Sequence, residues 1–192
     1  MTTPLHKASN NGYVDAMKLL IEHGADVESR NKWGDTPLHN ASWKDHIETM
    51  KLLIKHGADI ESRNEWNATP LHKASCYGHT DAISLLIDHG ANIESKNECN
   101  DTPLHDASSN GHIGAMKLLI DYGTDVNAKN KWNQTPLHRA SWNVHTNAIQ
   151  LLIDHGADVN AKNKWDETPL YRASWNGHID VVKLLREHGA IE

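Results

Sequence analysis

The chain has 192 residues with 19 Lys+Arg against 25 Asp+Glu, and its formal net charge of −6 argues against a generally basic nucleic-acid or lipid-surface binder. Its 38% hydrophobic and 23% charged residues fit a folded chain rather than a disordered tail. No apolar run reaches the roughly 18 residues of a membrane span, the opening Met1-Thr-Thr-Pro-Leu-His lacks a secretory core, and Cys76 and Cys99 are too few for a disulfide scaffold. The expected setting is the cytoplasm, with the nucleus as a second compartment.

The first predicted helix opens at Thr3-Pro-Leu-His, and the same four residues return at Thr36, Thr69, Thr102 and Thr135, with Thr168-Pro-Leu-Tyr closing the series at a constant spacing of 33. Thr reads as an N-cap, and Pro as a first helical residue with no N–H to lose. In the second unit one helix is predicted from about Pro37 to Lys44. A second follows from about Ile47 to His56, where Gly57 suits a left-handed cap. Helices this short are not stable alone, so Ile47, Met50, Leu53 and Ile54 are expected to bury against neighbouring units.

After T-P-L-H-x-A come G-H and L-L-x-x-G-A-D, with no insertion or deletion. On these motifs the chain closely resembles the ankyrin repeat family over its whole length. The resemblance implies a mainly α fold: a solenoid of stacked helix-turn-helix units with projecting β-hairpins. It is read as a single domain, 1–192, with repeats at about 1–30, 31–63, 64–96, 97–129, 130–162 and 163–192. Ala58 to Ala68 alternates and then turns, as a hairpin would. Where the family commonly has Gly after the tip, this chain has Gly34, Asn67, Asn100, Asn133 and Asp166, all tolerant of positive φ. Arg186 stands where earlier repeats carry Ile21, Ile54, Ile87, Ile120 and Ile153, which reads as a C-terminal cap.

Seven Trp and no Phe is an unusual aromatic composition. Trp33, Trp66, Trp132 and Trp165 share the hairpin-tip column, with Cys99 in the fourth repeat. Trp43, Trp142 and Trp175 share a helix column otherwise filled by Asn10, Cys76 and Ser109. The resemblance implies that both columns are variable and line a concave, partner-gripping face. The expected function is therefore a non-catalytic protein–protein interaction module, monomeric, offering a preformed Trp-rich groove to a protein or extended peptide. Its binding residues are expected to be Trp33, Trp43, Trp66, Tyr77, Trp132, Trp142, Trp165 and Trp175, supported by Arg139 and Arg172. Two aromatic patches flank a polar gap of Cys99, Asp106, Ser109 and Asn110, and an acidic peptide is the expected counterpart.

Arg30, Arg63, Lys96, Lys129 and Lys162 run beside the tryptophans, so the alternative is a single-stranded nucleic-acid or polyanion binder. Acidic residues in the same hairpins weigh against it. The 15 histidines mostly form repeat columns a layer apart, too far to share one metal ion, so neither metal nor cofactor is expected. If those histidines are neutral in the fold, stability should fall near pH 6. His39 and Ser42 resemble a nucleophilic pair, but the pairing recurs in five units, which signals packing rather than an enzyme. Cys76 and Cys99 are expected to be exposed thiols.

Overall fold

The computed structural model describes residues 2–191, which hold twelve helices in six pairs. These are α1 (Pro4–Asn11) with α2 (Val14–Glu22), α3 (Pro37–Trp43) with α4 (Ile47–Lys55), and α5 (Pro70–Tyr77) with α6 (Thr80–Asp88). They continue as α7 (Pro103–Ser109) with α8 (Ile113–Asp121), α9 (Pro136–Trp142) with α10 (Thr146–Asp154), and α11 (Pro169–Trp175) with α12 (Ile179–Glu187). Odd helices pack on odd neighbours and even on even, giving two rows of helices side by side.

The Thr-Pro starts behave as expected, with one addition. Thr36 is extended at φ −85°, Pro37 opens the helix, and His39 completes a capping box by accepting the Thr36 N–H on Nδ1 at 3.2 Å. The His39 Nε2–H then donates to the carbonyl of Ala68 in the next inter-repeat segment at 3.0 Å. His6, His72, His105 and His138 make the corresponding bonds to Asp35, Asp101, Gln134 and Glu167. A second histidine column works backwards: His46, at the start of α4, donates to the carbonyl of Asn10 at 3.1 Å. Each internal repeat is thereby tied to both neighbours.

The core follows the apolar period. Leu38, Met50, Leu53, Leu71, Ile83 and Leu86 have no accessible surface, while Ile47 and Ile54 are half-buried against them. With helices of 7 to 9 residues, below the roughly 12 to 15 that hold alone in water, this inter-repeat burial supplies the stability.

The projecting β-hairpins are present only as tight fingers, for no segment among the described residues is a strand. Asn31 explains this: its Oδ1 accepts the N–H groups of Trp33 (2.8 Å) and Asp35 (3.1 Å), and the Asn31 N–H closes the turn onto the Asp35 carbonyl at 3.0 Å. Donors that a ladder would use are consumed by a side chain, leaving an Asx-type turn. After the tip, Gly34 has φ 72° and Asn67, Asn100, Asn133 and Asp166 have φ 57–58°, the left-handed conformation expected of that column.

Candidate functional site

The fingers hold each tip residue by its backbone. The Trp33 N–H is taken by Asn31, and its carbonyl accepts the Glu65 N–H at 3.1 Å from the next finger. Trp66, Cys99 and Trp132 are pinned alike by Glu98, Lys131 and Lys164, each at 2.9 Å. The role of this Asn is a feature that the sequence signals only by its constant place, at 31, 64, 97, 130 and 163, two residues before each tip residue.

The rings stay accessible. Trp33, Trp66, Trp142 and Trp165 are 43–56% exposed, Trp43 is 36% and Trp175 is 75%, whereas Trp132 is half-buried. Tyr77 is exposed and lies 5.8 Å from Trp43, centroid to centroid. Two hollows mark the ends of this surface. One, of about 270 Å³, is bordered by Trp33, Trp43, Lys7 and Asn40; the other, of about 310 Å³, by Trp142, Arg139, Arg172 and Gln134. Each belongs to one of the aromatic patches, with repeat four between them.

The basic residues are largely committed within the chain. Arg139 donates to Asp101 at 2.6 Å and Arg172 to Glu167 at 2.7 Å, while Lys73 sits 3.7 Å from Asp35. Arg172 also lies over the rings of Trp142 (4.9 Å) and Trp165 (5.7 Å), and Arg139 over Trp132 at 5.8 Å. Lys32, Lys44 and Lys131 cover Trp33, Trp43 and Trp132. In the fingers, Arg30 donates to the Arg63 carbonyl, and Arg63 to that of Lys96 at 2.8 Å. Arg139 and Arg172 thus position indole rings with their charge already balanced.

The polar gap contains one carboxylate unlike these. Asp106, half-buried on α7, accepts no side-chain hydrogen bond and makes no ion pair among the described residues. Desolvation, reinforced by the charge of Asp101, pushes its carboxyl up to about 7 against the opposing pull of Arg139 and Lys73. Cys76 and Cys99 are half-buried rather than exposed, and the Cys76 Sγ accepts the Asn110 side-chain amide of the next repeat at 3.6 Å. Burial raises the Cys76 thiol further, away from a reactive thiolate.

The histidine ladder lies beneath the groove. Burial lowers His39, His72 and His138 to about 4, and His6 and His105 are also lowered by burial. A proton added at Nδ1 would face the Thr N–H that Nδ1 now accepts. Ser42 Oγ donates back to the Leu38 carbonyl at 2.8 Å, so His39 and Ser42 form no nucleophilic pair.

The comparisons with known proteins agree with this architecture. A family model described as ankyrin repeats (3 copies) matches residues 1–64, 57–130 and 124–191, and the chain belongs to the ankyrin repeat family. The crystal structure of the human ASB11 ankyrin repeat domain superimposes with a TM-score of 0.89 at 29% identity, covering 98% of this chain and 85% of that one. Two curated relatives match about one repeat. The serine/threonine-protein kinase VIK of Arabidopsis thaliana is 50% identical over 34 residues, 18% of this chain and 8% of the kinase. An ankyrin repeat protein of Rickettsia bellii (strain RML369-C) shares 50% identity over 34 residues, 18% of this chain and 14% of that protein. The matches thus span a small part of those proteins' lengths. Ankyrin repeats are generally protein–protein interaction modules and typically non-catalytic scaffolds. Among the described residues no helix is long and apolar enough to cross a membrane.

Proposed function

We propose that the chain is a monomeric interaction module whose Trp-lined groove grips an extended peptide segment of a partner protein. The observation that carries this reading is the pairing of exposed indoles with fixed backbones: Trp33 and Trp66 are 45% and 43% exposed, yet each is held at its N–H and its carbonyl. Rings presented on a preset frame lose little freedom on binding, and Trp is the side chain most enriched at interaction hot spots. The nucleic-acid alternative has weaker support, because Arg30 and Arg63 are spent on carbonyls and lysines already cover ring faces that a base would need.

A phage-displayed library of random dodecapeptides, panned on the immobilised full chain, tests the reading. Peptides should be enriched on the wild type and lost on the Trp142→Ala/Trp175→Ala double variant, each replacement weakening binding by about 1 kcal/mol or more. The melting temperature should barely move, and sedimentation should show a monomer. Unchanged peptide recognition alongside a large fall in melting temperature would assign the indoles to stability instead. Tight binding of oligo(dT) that weakens steeply with salt would favour the polyanion reading.

A further inference from the structure

Asp106 is the feature that the fold does not use. Layer by layer, its helix column reads Lys7, Asn40, Lys73, Asp106, Arg139 and Arg172, so it stands between two cations in a column whose outer members border both hollows. Neither neutralises it, for Lys73 is turned to Asp35 and Arg139 to Asp101. Of the other groove cations, Arg172 is balanced by Glu167, and Lys7 lies three layers away at the Trp33/Trp43 hollow. From repeat three to repeat six an acidic peptide would therefore have to break these pairs, while a basic group at Asp106 would meet a carboxylate with nothing to displace. We infer that the groove takes an extended segment carrying a Lys or Arg that seats on Asp106, between apolar anchors in the two end hollows. This rests on the groove reading above and replaces the acidic counterpart expected from the basic residues beside the tryptophans.

The layers set a spacing. The Trp33/Trp43 hollow lies between α1 and α3, the Trp142 hollow between α9 and α11, and Asp106 on α7. With layers roughly 8 to 10 Å apart and about 3.4 Å per extended residue, the basic residue falls about four positions from the anchor at Trp142 and about seven from the other. A segment of about twelve residues covers both.

Seating a cation there also ties binding to pH. The groups facing Asp106 are Asp101 from the finger, Lys73 and Cys76 from α5, and Arg139 from α9, with Asn110 on its own backbone carbonyl. Burial and Asp101 leave Asp106 protonating near neutrality. A cation can meet a charged carboxylate only after that proton has left, so binding should tighten as pH rises through 7.

The same dodecapeptide panning, run on wild type and on Asp106→Asn, tests this. Wild type should enrich a Lys or Arg at the stated spacing from two apolar anchors, and Asp106→Asn should keep the anchors and lose the base. A synthetic peptide of the enriched sequence should bind Asp106→Asn at least tenfold more weakly by titration calorimetry. The same peptide with norleucine for the base should lose as much on wild type, a measurement that needs no variant to fold. Wild-type affinity should rise several-fold from pH 6 to pH 8, and that of Asp106→Asn should not. Enriched peptides with the two anchors but no base, or with an acid in its place, overturn the inference and leave the groove reading standing. No enrichment that depends on Trp142 and Trp175 overturns the groove reading itself.

Discussion

The buried histidine ladder and the aromatic groove above it are built on the same short helices, yet follow opposite rules. In the ladder one residue type returns layer after layer, and His39, His72 and His138 make the same two bonds to their own Thr and to the next finger. In the groove the corresponding positions change from Trp to Cys to Ser, and from Lys to Asp to Arg. What repeats holds the stack together; what varies faces outward. Substitutions in the two regions should therefore separate into losses of stability and losses of recognition.

Acid is the strongest way to break this separation. The three ladder histidines titrate near 4 in the fold against about 6.5 unfolded, so the stability they contribute is complete above pH 6.5. It drains away as pH falls from 6.5 towards 4, by about 1.4 kcal/mol per unit for each group. Between pH 7.5 and pH 5 the fold should lose several kcal/mol, seen as a fall in melting temperature on the order of 10 °C. An unchanged melting point would show that the ladder does not carry the stack.

A smaller effect of opposite sign is expected at Asp106. Its folded-state carboxyl is raised, so it favours the fold only while protonated, and that contribution disappears as pH climbs through 7. Asp106→Asn should raise stability at pH 8 by about 1 to 2 kcal/mol while weakening peptide binding, as expected where a site sacrifices stability for recognition. Chemical denaturation at pH 8 and pH 5 would check the sign, since the gain should shrink as pH falls below 7 and vanish only below about 4.

Val144 gives a test of similar size. It stands at φ 63° between α9 and α10, where Gly12, Gly78, Gly111 and Gly177 occupy the same place in other repeats. A β-branched residue there is strained, and Val144→Gly should stabilise the chain by about 1 kcal/mol in thermal melts. The smallest expectation is at Lys51, whose 2.8 Å pair with Glu48 is exposed on α4. Lys51→Ala should change stability by less than about 0.5 kcal/mol, leaving both ladder and groove untouched.

Much of this architecture was legible in the chain because each repeat restates its neighbour. The 33-residue period, the Thr-Pro starts and the left-handed Asn67, Asn100 and Asn133 all follow from local backbone chemistry. The strands failed for a local reason too, since Asn31 takes up the donors that a ladder would need. The pairings across repeats were hidden. Arg139 meets Asp101, 38 positions away, and only folding reveals that its charge is spent and that of Asp106 is not. A column of Lys and Arg read from the sequence does not show which of them are already paired, and the acidic counterpart was expected on that column alone.

The bond from each finger's carbonyl to the following finger has an architectural corollary. Glu65 to Trp33, Glu98 to Trp66, Lys131 to Cys99 and Lys164 to Trp132 are one linkage repeated. Excising residues 64–96 would let the flanking units rejoin through it, drawing the two hollows nearer by a single rung. The molecule is in that sense a graduated ruler, and the length of what it measures can change only in whole divisions.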